Sequence, residues 1–330
     1  MDSPDTPNKP RASRSGLIAE ADQPFVDWLC QRWGGSSWQE AVENHCRQLL
    51  HETDNNKGPI SLARVAARLG IDPRPEANKE VTTGGWLDLA RGRIVLPEGS
   101  DRRLSPRYGR ARFTYAHELG HAMLYSFEKL PAVRLAPPCG ELEEILCNHA
   151  ASHLLMPRDV LMQELGGETV PSADLLRLVK ERFEVSAVSA AIALHEVLSP
   201  HQKAGSFHML SSLTGKHKTL GETKPRCVVC FLPPELREKG IEFLPSFKGL
   251  EHISRVANGQ EYKTWSLVEF FSGRRGGYFP KPTTYNEVLV IPKPKRRVFH
   301  LQSSHRPFDS HSVWTSGTIA LLGEDERIQA

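Results

Sequence analysis

His117-Glu118-Leu119-Gly120-His121 sets two imidazoles four residues apart on a segment with no helix breaker before it. On an α-helix a four-residue step turns about 40° past one full turn, so both rings project from one face. Two imidazoles stacked in this way can hold one Zn²⁺ from the same side. Glu118 lies about 100° round the helix, where it reaches a water on the metal and not the metal itself. Arg112-Phe113-Thr114-Tyr115-Ala116 leads the helix into the motif, and Leu119, Ala122 and Met123 give it an apolar face.

A third ligand is required. Glu141, Glu143 and Glu144 stand together one loop later, at the start of a second helical segment. Glu141 and Glu143 suit the positive end of that helix's dipole. Glu144 is the expected ligand. Asn148, four residues on and on the same face, is expected to hydrogen-bond a ligand or the cleft backbone. Two His, one Glu and an open fourth position form the catalytic zinc arrangement of metallohydrolases.

Other reactive residues have simpler readings. His153 is nine residues from Glu144, about 180° round the helix, and neither it nor His149 is expected in this site. Tyr115 and Tyr125 carry hydroxyls that can serve an oxyanion, but aromatic residues around such a helix more often pack in a core. Cys139, in the loop before Glu144, reads as a free thiol. Cys227 and Cys230 lie in a strand-like run, where alternation sends residues three apart to opposite faces. That pair is read as structural.

The elements that must position these groups are visible in the spacing. Trp38, Ala41, Val42, His45, Cys46, Leu49 and Leu50 recur at helical steps. Ser61 is placed to cap a short helix with Leu62, Val65, Ala66 and Leu69 inward, stopped by Gly70. Residues 85–96 read as a β-hairpin. Helices are expected over about 107–126 and about 141–155, the latter ending before Pro157. Ser172 is placed to cap a helix running through Val179, and a turn at 184–186 leads to another over 187–198. Strand-like runs follow at 227–232, 287–291 and 297–301.

At this point the residues resemble a known family. Arg112 to His121, then Glu144-x-x-x-Asn148, Ala151 and Leu154-Leu155-Met156-Pro157 are similar to the ImmA/IrrE family of zinc metallopeptidases. The similarity covers about 38–198. A Phe common after the Asn is replaced by Ala150, and a small residue beside Ala151 is Ser152. The resemblance implies an α+β fold, with a thermolysin-like (gluzincin-type) helical core and a small β-sheet. It implies Zn²⁺ held by His117, His121 and Glu144, with Glu118 as general base. It also implies cleavage of helix-turn-helix transcriptional repressors, and hence a part in transcription regulation and stress response.

The chain has 330 residues, 39% hydrophobic and 25% charged, with 42 basic and 39 acidic side chains for a net +3. Residues 201–330 hold 19 basic and 12 acidic residues, a local +7 that leaves −4 for the rest. The basic residues are interleaved with acidic ones, which allows an anionic partner without demanding one. No run of about 18 apolar residues predicts a membrane helix. Six cysteines in 330 residues are too few for a disulfide scaffold, so a cytoplasmic setting is expected.

Three segments are expected: a disordered tail over 1–22, a zinc metallopeptidase domain over 23–200, and a C-terminal β-containing domain over 205–330. The last has no counterpart in the resemblance and is expected to sense a signal or select the substrate. The expected partner is a protein substrate, a DNA-binding repressor, with no membrane. Residues 175–198 resemble a helix-turn-helix, but their mixed charges make a poor phosphate face, and direct nucleic-acid binding stays open only for 205–330. The alternatives are a non-catalytic zinc-site scaffold and one component of a toxin–antitoxin pair acting through its C-terminal domain.

Overall fold

Ser37 accepts a hydrogen bond from the Glu40 N–H at 3.3 Å, and the Glu40 carboxylate reaches back to the Ser36 N–H at 2.8 Å. This reciprocal cap starts a helix by satisfying donors that the first turn leaves free. The computed structural model describes residues 20–55, 57–82, 84–99, 108–168, 170–198, 205–213, 225–232, 234–238, 254–257, 260–262, 283–291, 296–307 and 312–325. In it the capped helix is α2 (Trp38–Glu52), which buries Ala41, Val42, Cys46, Leu49 and Leu50, the face that the spacing predicts. Helix α1 (Gln23–Trp33) packs against it and ends at Gly34, whose φ of 74° is left-handed.

Helix α3 (Leu62–Arg68) follows, but Ser61 makes no side-chain cap. Asn55, almost fully buried, does the local tying instead. It accepts from the Ser61 N–H at 3.0 Å and donates to the Ser61 carbonyl at 3.2 Å. The predicted hairpin is present as β2 (Trp86–Asp88) and β3 (Arg93–Pro97), with Leu87 opposite Ile94. A strand that the sequence does not announce, β1 (Glu76–Asn78), adds to β3 in parallel. The order β1-β3-β2 leaves β2 at an edge.

Helix α4 (Tyr108–Ala122) carries the His-Glu-x-x-His motif and lies against α5 (Glu141–Leu155). The expectation carried α4 to about 126. The chain instead turns after Ala122, and Tyr125–Ser126 (β4) pairs with Val133–Arg134 (β5). Gly120 sets the approach of the two long helices: a Cβ there would stand 3.0 Å from the Cys147 Cα. Gly120→Ala must push α4 and α5 apart, so it is expected to cost about 1–3 kcal/mol, read as a lower denaturant midpoint. An unchanged midpoint would mean that the helices are not in such close contact.

Helices α6 (Arg158–Leu165), α7 (Ala173–Phe183) and α8 (Ala187–Leu198) complete this part. Ser172 caps α7 by accepting from the Leu175 N–H at 3.1 Å, and Glu184, at φ 53°, makes the turn before α8. Leu176, Val179, Phe183 and Leu194 join the same core as Leu154 and Leu155. The helix-turn-helix-like segment is therefore packed into the body of the fold.

Beyond it lie β6 (Ser206–Leu213), β7 (Pro225–Phe231), a short α9 (Pro234–Glu238), β8 (Ser254–Ala257), β9 (Gln260–Tyr262), β10 (Thr283–Ile291), β11 (Arg296–Pro307) and β12 (Ser312–Asp325). The strands form one antiparallel sheet in the order β7-β6-β12-β11-β10-β8-β9. A mixed α+β chain is thus present.

Cys227 and Cys230 lie on β7, where Cys230 pairs with Met209 and Cys227 with Ser211 across a register shift between Leu210 and Ser211. Of the expected tail, residues 1–19 lie outside the described residues. Glu20–Asp22 form a 3₁₀ turn whose Asp22 Oδ1 accepts from the Gly140 N–H at 3.2 Å. The expected boundary at about 200–205 likewise falls mostly outside the described residues. Among the described residues no helix is long and apolar enough to cross a membrane.

Candidate metal centre

Three donors meet between α4 and α5. His117 Nε2 lies 3.3 Å from Glu144 Oε2, and His121 Nε2 lies 3.4 Å from Glu144 Oε1. All three ligand atoms fall within 4.8 Å of one another. The two N···O separations are longer than a good hydrogen bond. Each has the length of a tetrahedral edge for zinc–ligand bonds of about 2.0–2.2 Å, about 3.3–3.6 Å, with each ring facing its own oxygen of the carboxylate. Glu144 is largely exposed, so the centre opens to solvent on its side.

The outer ring nitrogens are already engaged. His117 Nδ1 is 3.1 Å from Asn148 Oδ1, and Asn148 Nδ2 donates to the Glu144 carbonyl at 2.8 Å. The amide is thereby oriented with its oxygen toward the ring, which calls for a proton on His117 Nδ1. His121 Nδ1 faces Glu143 Oε1 at 3.0 Å. Both imidazoles then turn an Nε2 lone pair toward Glu144, the orientation that metal-binding histidines take from such partners.

Glu143 has a larger role than the helix dipole. Arg134 Nη2 donates to its Oε2 at 2.7 Å, and Arg134 Nη1 donates to the Tyr125 hydroxyl at 3.1 Å. The hydrogen bond with His121, and then the Arg134 guanidinium, hold the Glu143 carboxyl down at about 2 against its burial. Arg134 stands at the end of β5, nine residues before Glu143, and no helical spacing connects the two, so only the fold reveals the link.

Burial lowers the pKa of His117, and the neighbouring His121 adds to the effect. Burial also works against charge on His121, but its hydrogen bond to Glu143 and the carboxylates Glu118 and Glu144 carry its pKa above the ordinary value. Glu118 is only 7% exposed. Burial raises its pKa, with Glu144 adding to the rise, while His121 and a backbone hydrogen bond from Leu87 on β2 oppose it. A carboxylate desolvated in this way has a stronger hold on a proton.

The remaining residues separate clearly. The Tyr115 hydroxyl donates to the Pro73 carbonyl at 3.2 Å, on the core side. The Tyr125 hydroxyl serves Arg134. Cys139 Sγ is 3.7 Å from Glu143 Oε2, and burial, then the Glu143 charge, push the thiol up to about 11. His149 and His153 face α2, away from this centre.

Comparison with known proteins adds a family. The model of the IrrE N-terminal-like domain, a peptidase family, matches residues 102–195. The radiation response metalloprotease IrrE of Deinococcus radiodurans is 41% identical over 150 residues, covering 42% of this chain and 44% of that protein. The protein of the same name from Deinococcus deserti is 38% identical over 95 residues, covering 28% of this chain and 34% of that one. The chain thus spans less than half the length of the curated relatives it matches. A solved Mycobacterium tuberculosis transcriptional regulator overlies 89% of this chain and 80% of its own at 12% identity, with a TM-score of 0.40, too low to bear on the fold. The resemblance read from the motifs is thus supported over residues 102–195, which match the IrrE N-terminal-like domain and contain His117, Glu118, His121 and Glu144.

Proposed function

We propose that this chain, through its IrrE N-terminal-like domain, is a zinc-dependent endopeptidase with a thermolysin-like core. Its substrate is a protein, a helix-turn-helix transcriptional repressor whose cleavage relieves repression. The observation that carries this reading is the convergence of His117 Nε2, His121 Nε2 and the Glu144 carboxylate, with Glu118 buried on the adjoining face of α4.

Zinc held by these three would polarise the scissile carbonyl and lower the pKa of a water toward about 7. Glu118, buried beside these donors and with its proton affinity raised, would be the group to accept a proton and pass it to the leaving amine. The Leu87 N–H steadies the Glu118 carboxylate from β2. Because β2 is an edge strand, its free side can add an extended substrate segment and align it along the cleft. The seven-stranded sheet beyond residue 205 selects the substrate or senses the signal that licenses cleavage.

Asn148 and Glu143 orient the two imidazoles without touching the reacting atoms. Asn148→Ala or Glu143→Gln is expected to weaken zinc affinity about 10–100-fold, read by competition with a chromophoric chelator. Equal affinity in both variants would mean that the ring orientations are set elsewhere. The function itself is tested by incubating the zinc-loaded protein with the product of any helix-turn-helix gene encoded beside its own. The expected result is chelator-sensitive fragments of defined mass. No cleavage of any such repressor would favour a non-catalytic scaffold.

A further inference from the structure

Helix α5 carries a second cluster on the face opposite Glu144. His149 Nε2 and His153 Nε2 lie 3.4 Å and 3.5 Å from the same oxygen, Glu43 Oε1, on α2. The two rings stand 4.4 Å apart, one helical turn from each other. The three ligand atoms fall within 4.8 Å of one another, as in the centre already described. Here too the separations exceed a hydrogen bond and match the tetrahedral edge of about 3.3–3.6 Å for zinc-type bond lengths. His149 Nε2 is buried and has no hydrogen-bond partner of proper geometry. A buried ring nitrogen left in that state costs free energy unless something accepts its lone pair.

The surroundings suit a cation. The Glu43, His149 and His153 side chains are only 26%, 19% and 13% exposed, and they line a cavity of about 220 Å³. Trp38 packs edge-on against the His149 ring at 5.4 Å, and His149 also makes a backbone hydrogen bond with Gln39. Those contacts fix the ring and leave Nε2 pointing at Glu43. Burial disfavours the charged form of both imidazoles, and the neutral ring is the form that ligates a metal. Arg158 and Glu196 also line the cavity, and Arg158 and Arg47 both bear on His153, while Glu43 is the carboxylate that faces the two rings.

We infer that Glu43, His149 and His153 form a second site for a divalent transition metal of the zinc class, which fastens α2 to α5. The ion takes two imidazole nitrogens and one carboxylate oxygen and leaves its fourth position to water from the cavity. It lies behind the helix that presents Glu144 and Asn148, so its occupancy stiffens the scaffold of the first centre. The site stands on its own geometry and does not depend on the peptidase reading.

The test is a Co²⁺ titration of tag-free, chelator-stripped protein, followed by the visible d–d absorption. Wild type is expected to take two equivalents. The His117→Ala/His121→Ala double variant should keep one, and Glu43→Gln, which preserves volume and packing, should also keep one. The combined triple variant should take none, with an unchanged circular dichroism spectrum showing that it is folded. Saturation of wild type at one equivalent that disappears with His117 and His121 would overturn the inference. So would a second equivalent that survives in Glu43→Gln, since the metal would then sit elsewhere.

Discussion

Replacing His117 or His121 by Ala is expected to remove the metal of the first centre and reduce cleavage to background. Each imidazole supplies one of three protein donors, and a site with two cannot hold zinc in the tetrahedral shell that the third completes. The fold should survive. Both rings lie at the cleft, with side chains 16% and 19% exposed, and are not among the fully buried core. The variants differ in one respect. Loss of His121 removes the partner that contributes most to holding Glu143 near 2, although Arg134 still pairs with that carboxylate. Metal analysis should therefore show one equivalent fewer than wild type in each variant, with superimposable circular dichroism spectra. Equal metal content in the double variant would refute the ligand assignment.

Glu118→Gln is expected to leave metal and fold in place and to lower the cleavage rate by about 10²–10⁴-fold. Glu118 is not among the three converging donors, so the coordination shell is untouched. Gln keeps the length and a carbonyl oxygen that can still accept from the Leu87 N–H, so β2 stays docked on α4. What it loses is the ability to take a proton, and burial has raised that ability in the carboxylate. If Glu118 only supported its helix, the change would be nearly silent, because Glu and Gln have similar helix propensities. The measurement is a time course of repressor cleavage with zinc-content analysis of the same samples. Wild-type rates from the Gln variant would sink the general-base role.

Much of this architecture is legible in the chain because it is local. The helical spacing around Val42 and Leu49, the Ser172 cap and the turn residues between Asp88 and Arg93 each act within a few positions, and the structure has all of them. The spacing also tells that His117 and His121 share one face of α4, whereas their meeting with Glu144 depends on the packing of α5 against α4. The gaps lie where distant segments decide. Strand β1 is three residues long and has no large apolar side chain to announce it, and its parallel pairing with β3 depends on the whole turn between them. Apolar spacing carries the expected α4 past Ala122, yet the Leu124 carbonyl accepts from the Leu135 N–H at 2.8 Å and draws the chain into β4 and β5. At Glu143 the dipole argument is sound but incomplete, because Arg134 arrives from β5. His149 and His153 face Glu43, which stands more than a hundred residues earlier and which no local spacing links to them.

The central claim is that His117, His121 and Glu144 hold one metal ion. It is tested most directly by anomalous scattering from a zinc-loaded crystal, with data collected on both sides of the zinc absorption edge. The account predicts a peak within about 2.0–2.2 Å of His117 Nε2, His121 Nε2 and a Glu144 carboxylate oxygen, present in Glu118→Gln and absent from His117→Ala. Zinc peaks elsewhere in the chain, with these three side chains well ordered and metal-free, would contradict it.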